Sequence, residues 1–287
     1  MKISEYNQKM AELEAEGKYD IDVNYGEYIG VKTQEPNHRY IYNRFIDKVY
    51  YCILRTVMFI FAPILLFFTY RLRIRGRKNL KKGGKGAIIV SNHVALLDSL
   101  IIKQAVLTHI YYVAGSHNNK VGFGGYTLKI LGLMPLSNLF SNQKNLNKAI
   151  ETHLKNKKYV FVAPEQAMWR GYKKLRPFKN GAFYYAVKND TPVIPMVLLL
   201  REPNAWDKLF GRRFKVTIEI LKKEYPDKSL PQKEAVEELN KRVRHAMVSR
   251  MNEFYGMECD VTKKISYNLE NDAKSSDEGV TWIKDTK

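Results

Sequence analysis

A histidine and an aspartate five positions apart carry the clearest chemical signal in the chain. The stretch Asn92-His93-Val94-Ala95-Leu96-Leu97-Asp98 follows a short apolar run, so an imidazole stands at its end with a carboxylate about one turn further on. A carboxylate at that spacing can reach back to the ring, fix its tautomer and stabilise the imidazolium that forms when His93 takes a proton. The same spacing also suits a plainer role, in which His93 and Asp98 cap the following helix. A second polar pair, Glu165-Gln166, closes another apolar run through Pro164. In open α/β sheets, ligands bind beyond the carboxyl ends of strands, so both pairs fall at candidate site positions if the runs before them are strands.

The elements that must position these residues are legible in outline. Residues 86–90, 110–114, 133–136, 159–163, 193–199 and 214–221 read as strands, the fifth interrupted by Pro195. Residues 96–108, 144–154, 181–188 and 233–254 read as helices, and a glycine-rich turn at 122–125 leads into another that ends near Leu131. The last of the four places Val236, Leu239, Val243, Met247, Met251 and Phe254 on one face. Strands alternating with helices over short links predict an α/β fold, layered, with a largely parallel sheet flanked by helices.

With 287 residues, 45% hydrophobic and 12% aromatic, the chain can bury a large core, which excludes wholesale disorder. Two distant cysteines, Cys52 and Cys259, exclude a disulfide scaffold and a cysteine zinc site and point to a reducing compartment. The remaining histidines, His38, His109, His117, His153 and His245, lack metal-ligand spacing, so no metal is expected. The net charge of +19 is uneven: residues 1–30 carry −4, residues 266–287 carry −2 and the stretch between carries +25. Four parts follow: a polar N-terminal extension (1–45), a membrane-associated apolar segment (46–71), an α/β domain (72–256) and a polar C-terminal tail (257–287).

Within residues 49–70 only Arg55 is charged, and Pro63 interrupts the middle. The uncharged part, 56–70, spans about 22 Å as a helix, short of the ~30 Å hydrocarbon core of a bilayer. Adding residues 49–55, with Arg55 snorkelling to the interface, makes a marginal span. Apolar residues on all faces argue against a buried core helix. The next stretch, 71–85, holds eight basic residues and no acid, a pattern that seats a chain on an anionic cytoplasmic leaflet. The expectation is a helix, or a hairpin bent at Pro63, embedded from the cytoplasmic side, with a full span left open.

The motif from Asn92 to Asp98 resembles the NHxxxxD motif of the glycerolipid acyltransferase family, the lysophosphatidic acid acyltransferase-like enzymes. Four more blocks over roughly residues 72–200 are similar in order and type. Gly132-Leu133-Met134-Pro135-Leu136-Ser137-Asn138 stands where that family's Gly-to-Arg strand lies, and Phe161-Val162-Ala163-Pro164-Glu165 resembles its hydrophobic-Pro-Glu block. Phe178-Lys179-Asn180-Gly181-Ala182 resembles its basic-Gly-Ala helix start, and Pro192-Val193-Ile194-Pro195 its last motif. The resemblance implies acyl transfer from a thioester, acyl-CoA or acyl-carrier protein, to a lysolipid hydroxyl, with no further cofactor. The apolar segment also looks like that family's membrane-seating part, and the basic stretch after it makes an anionic membrane surface the expected partner. His93 is then the base and Asp98 its orienter; Asn92, Asn138, Glu165, Arg170 and Lys179 are the expected substrate contacts. Backbone amides near Asn92 or at Gly124-Gly125 are candidates for the oxyanion site.

Two departures stand out. Asn138 occupies the place of the family's Arg, and Gln166-Ala167 that of its Gly-Thr turn, with Arg170, Lys173, Lys174 and Arg176 available as replacement charge. They leave room for an acceptor without phosphate, or for a silent lipid-binding relative, against which the intact His93 and Asp98 count. A nucleic-acid-binding role would use the basic body and 19 tyrosines, yet it leaves residues 56–70 unexplained and no recognition module is present.

Overall fold

In the computed structural model, which describes residues 2–23, 35–80 and 86–262, seven strands make one sheet. In chain order they are β1 (Arg73–Arg75), β2 (Ala87–Ser91), β3 (Ile110–Ala114), β4 (Leu133–Pro135), β5 (Tyr159–Val162), β6 (Val193–Arg201) and β7 (Lys215–Ile220). Across the sheet they lie β1-β7-β6-β2-β5-β3-β4, and every pair is parallel except β6 with β7. The helices are α1 (Ile3–Ala15), α2 (Phe45–Tyr70), α3 (Asp98–Val106), α4 (Gly122–Ile130), α5 (Phe140–Lys155), α6 (Gly181–Lys188), α7 (Ala205–Leu209) and α8 (Gln232–Tyr255). The layered, largely parallel α/β fold expected from the alternation is the fold observed.

The period-two alternation of side chains divides the core into two layers. Ala87 and Ile89 of β2, with Ile194, Met196 and Leu198 of β6, face Ile101, Ile102 and Ala105 of α3 and Leu66 of α2. Ile88 and Val90, with Val197 and Leu199, face Leu146 and Ile150 of α5, Phe183 of α6, and Leu239, Val243 and Met247 of α8. Being covered on both sides, β2 is buried along its whole length, which is why its sequence is a continuous apolar run rather than an alternating one.

Three local expectations change. Pro195 does not break its strand: β6 runs through it, paired with Val90, and its carbonyl accepts Leu221 N–H at 2.9 Å. The ladder to β7 begins only at Met196, so the missing proline N–H costs no bond inside it. Residues 122–125 are the first turn of α4 rather than a turn before it. The apolar segment is one 26-residue helix that continues through Pro63, not a hairpin.

The acidic leading segment folds onto the domain. Met10 and Leu13 of α1, followed by Val23, are buried in the same layer as α3. Of the C-terminal segment, Cys259 and Val261 are buried, and residues 263–287 lie outside the described residues.

Candidate active site

The carboxyl end of β2 delivers Asn92 and His93. Asn92 is fully buried, its side-chain amide donating to Leu198 O at 3.1 Å and accepting from Leu198 N at 2.8 Å. It staples the end of β2 to β6, so the substrate contact expected of it is corrected to a positioning role. The chain then turns, and Asp98 closes the turn. One Asp98 carboxylate oxygen takes His93 Nδ1 at 2.6 Å and Val94 N at 3.0 Å, and the other takes Ala95 N at 3.0 Å. Because those amides precede α3, Asp98 locks the loop in front of the helix and does not cap the helix itself. With Nδ1 directed at the carboxylate, the Nε2 lone pair is the free basic position.

The exposures suit that division of labour: the His93 side chain is 27% exposed and that of Asp98 only 2%. Burial pushes the Asp98 carboxyl above the usual aspartate range, and His93 is the strongest of the partners that oppose it.

Glu165 follows β5, the strand beside β2, and is as buried as Asn92. Its carboxylate accepts His93 N at 2.9 Å and Arg176 N at 2.9 Å, and pairs with the Arg176 guanidinium at 2.8 Å, both side chains being 0% exposed. Arg176 also donates to Ala167 O and Tyr19 O and lies 4.9 Å over the Trp169 ring. Trp169 N donates to His93 O and Gly171 N to Val94 O, which ties the loop after β5 to the histidine turn. Glu165, expected at the substrate, is instead the buried brace beneath His93. Trp169, fully buried with its indole N–H on Ile21 O, is core. The amides of His93, Val94 and Ala95 all serve carboxylates, so none of these three is left for an oxyanion.

The expected substrate cations are mostly paired. Lys174 meets Glu14 at 2.9 Å with 2% of its side chain exposed, Lys179 meets Asp20 at 3.0 Å, and Lys173 meets Glu202 at 3.1 Å. Arg170 differs. Its backbone N–H donates to Tyr6 Oη at 2.6 Å, its Nε is buried without a partner, and its charge is felt by the hydroxyls of Tyr6 and Tyr70. No described acid pairs with it. Asn138 is exposed just beyond β4, three strands from β2, or about 14 Å along the same sheet end. His93, Asp98, Glu165 and the Arg170 backbone thus come together, while Asn138 and Lys179 stand at the periphery.

Residues 71–199 match the Acyltransferase family model. That stretch, a little under half of the chain, is similar to the acyltransferase family. A chloroplastic 1-acyl-sn-glycerol-3-phosphate acyltransferase of Brassica napus is 27% identical over 161 residues, 55% of this chain and 45% of that protein. The Saccharomyces cerevisiae 1-acyl-sn-glycerol-3-phosphate acyltransferase is 29% identical over 132 residues, 44% of this chain and 42% of that one. The Helicobacter pylori enzyme of the same name is 30% identical over 128 residues, 42% of this chain and 53% of that one. The chain thus spans about half the length of the curated relatives it matches. In fold it is similar to the crystal structure of the 1-acyl-sn-glycerophosphate acyltransferase PlsC from Thermotoga maritima, with a TM-score of 0.54 and 20% identity over 75% of this chain and 85% of that one.

Within the matched stretch two backbone positions are telling. Gly132 enters β4 with a φ of 109°, where a Cβ would lie 2.3 Å from Ile110 O, so the glycine of the second motif is required. Gln166 holds a φ of 66°, a left-handed conformation that glycine adopts freely and glutamine does not. The residues that the sequence reading left out are Tyr6, Glu14, Tyr19, Asp20 and Ile21. Each contacts the loop after β5 from more than 140 positions away, and no spacing rule connects them.

Proposed function

We propose that the protein transfers an acyl group from an acyl thioester, acyl-CoA or acyl-carrier protein, to a hydroxyl of a lysophospholipid such as lysophosphatidic acid. The observation that carries this reading is the His93–Asp98 pair, with Nδ1 held at 2.6 Å and the ring exposed at the carboxyl edge of the sheet. An alcohol is a weak nucleophile at neutral pH. His93 Nε2 removes its proton as the oxygen attacks the thioester carbonyl, and Asp98 stabilises the imidazolium. The tetrahedral intermediate then expels the thiolate, the C–S bond breaks, and the proton passes from Nε2 to sulfur. The products are an ester and a free thiol, with no covalent enzyme intermediate.

The surroundings support a lipid substrate. The Tyr70 hydroxyl, at the end of α2, meets the backbone of Leu96 and Leu97 beside Asp98. An apolar groove of about 480 Å³ between α2, β1 and Gln104 of α3, lined by Pro63, Ile64, Phe67, Phe68, Leu72 and Ile74, suits an acyl chain. α2 is long and apolar enough to cross a membrane, yet it meets the domain at both ends, through Asp47 with Tyr126 and through Phe68 O with Arg212. Attachment along the bilayer surface, from the cytoplasmic face, fits those contacts better than an upright span. Arg170, whose Nε is a buried donor without a partner, is the group that would take an acceptor phosphate.

A second reading, an acceptor lacking phosphate, draws on Asn138 and on the acids that hold Lys173, Lys174 and Lys179. Incubating purified protein with labelled acyl thioesters and a panel of lysolipids, with and without phosphate, and identifying the product by mass spectrometry tests both. An ester formed on a lysophospholipid supports the first reading; product only on phosphate-free acceptors supports the second, and no product on any acceptor defeats both.

A further inference from the structure

Away from α2, three large apolar side chains crowd into the short connection between β6 and β7. Trp206, Leu209 and Phe210 are 67%, 74% and 68% exposed, although a domain with this much core has room to bury them. Their backbone is tightly held. Asn204 Oδ1 accepts Asp207 N at 2.9 Å and Asp207 Oδ2 accepts Asn204 N at 3.1 Å, which fixes the start of α7. Asp207, fully buried, then gathers Arg71, Arg212 and Lys215 at 2.9, 3.0 and 3.2 Å. With Asp207 turned inward, Leu209 two positions later is turned outward.

The same hub joins α7 to the end of α2. Arg212 Nε donates to Phe68 O at 2.5 Å, Arg71 lies 5.8 Å over the Phe67 ring, and Arg212 lies 5.4 Å over Phe210. Phe67 and Phe68 are themselves half exposed or more, so the apolar face of α2 continues into the α7 side chains. Lys208 and Arg213 are exposed beside these side chains and Arg71 is 41% exposed, while Arg212 and Lys215 are turned in on Asp207. An exposed Trp with neighbouring Leu and Phe, rimmed by cations, matches the boundary between acyl chains and anionic headgroups.

Topology gives this patch a consequence. β6 runs parallel to β2, so α7 leaves the sheet at the end that carries His93. β1 pairs parallel with β7 and β7 antiparallel with β6, which brings the end of α2 to that same edge. A single helix lying in a membrane leaves the domain free to roll about the helix axis. A second contact off that axis removes the rotation and fixes which edge of the sheet faces lipid.

We infer that α7 is a second membrane anchor, in which Trp206, Leu209 and Phe210 enter the interface of an anionic bilayer beside α2 and hold the His93 end of the sheet at the lipid surface. The inference rests on α2 being lipid-facing and goes beyond the acyl-transfer reading. It is tested with the full chain, purified in detergent and mixed with phosphatidylcholine vesicles with or without phosphatidylglycerol. Trp206→Ala/Leu209→Ala/Phe210→Ala should weaken flotation with the anionic vesicles by about tenfold or more. Acyl transfer to detergent-dispersed acceptor should be unchanged in that variant while transfer to vesicle-borne acceptor falls. Brominated lipid should quench the wild type measurably more than Trp206→Phe. Equal flotation of the triple variant with no Trp206-dependent quenching would overturn the inference, as would equal flotation with loss of a lipid-free dimer, which would assign the patch to a second copy. Failure of the wild type to bind vesicles at all would remove both this anchor and the membrane reading of α2, without touching acyl transfer in detergent.

Discussion

Two loops meet beneath the imidazole. In the turn after β2 the imidazole is oriented locally: within six residues, Asp98 takes the His93 ring and two amides, and only the backbone of the turn is held from the loop after β5. The loop after β5 depends on distant chain. Lys174 answers to Glu14, Lys179 to Asp20, and Trp169 to Ile21, while the Glu165–Arg176 pair lies within the loop itself. In the proposed reaction the first loop presents the chemistry; the second is a brace whose charges are already paired, Arg170 excepted among the described residues. A carboxylate in each loop looks equivalent in the sequence, yet Asp98 touches the His93 ring and Glu165 touches only the His93 backbone.

That difference can be broken at each loop in turn. In the first, Asp98→Asn sets an amide against the Val94 N–H and the imidazole, so turnover should fall about 10²–10⁴-fold, read by steady-state kinetics. Full turnover in this variant would remove Asp98 from the chemistry. In the second, Glu165→Gln leaves the buried Arg176 without its counter-charge, and stability should drop by about 3–5 kcal/mol, measured by chemical denaturation. A variant that kept its stability and lost only acceptor affinity would return Glu165 to the substrate.

Smaller effects sharpen the comparison. Arg170→Ala should raise KM for a phosphate-bearing acceptor about 10–100-fold with kcat largely kept, the worth of one charged hydrogen bond, and Arg170→Lys should recover part of it. No change in KM would favour the acceptor without phosphate. Smallest of all, Gln166→Gly relieves the left-handed backbone against a looser unfolded chain and should stabilise the protein by about 0.5–1 kcal/mol, seen as a modest rise in melting temperature. A loss of stability would mean that the exposed glutamine side chain makes up for its strained backbone.

What could be read ahead of the structure divides along the same line. The strand runs, the α/β layering and the His93–Asp98 reach rest on periodicity and short spacing, and these local signals survive folding. Pro195 misled because a proline within a run looks like a break until the neighbouring ladder is known to begin one residue later. The leading segment misled more deeply. Its charges read as a polar extension, but Met10, Leu13 and Val23 give it one buried edge, and Glu14 and Asp20 find partners some 160 residues away. Asn92 stands next to His93 and Glu165 closes a similar apolar run, yet Asn92 is turned inward by Leu198 of β6 and Glu165 by Arg176, partners that no local pattern reveals.

The central claim is that His93 Nε2 is the base, and its most direct test is the rate of ester formation from labelled acyl-CoA and lysophosphatidic acid by wild type and by His93→Ala, with circular dichroism to verify that both are folded. The account expects the folded variant to lose at least about 10²-fold in kcat. A folded His93→Ala protein that acylates at the wild-type rate would contradict it.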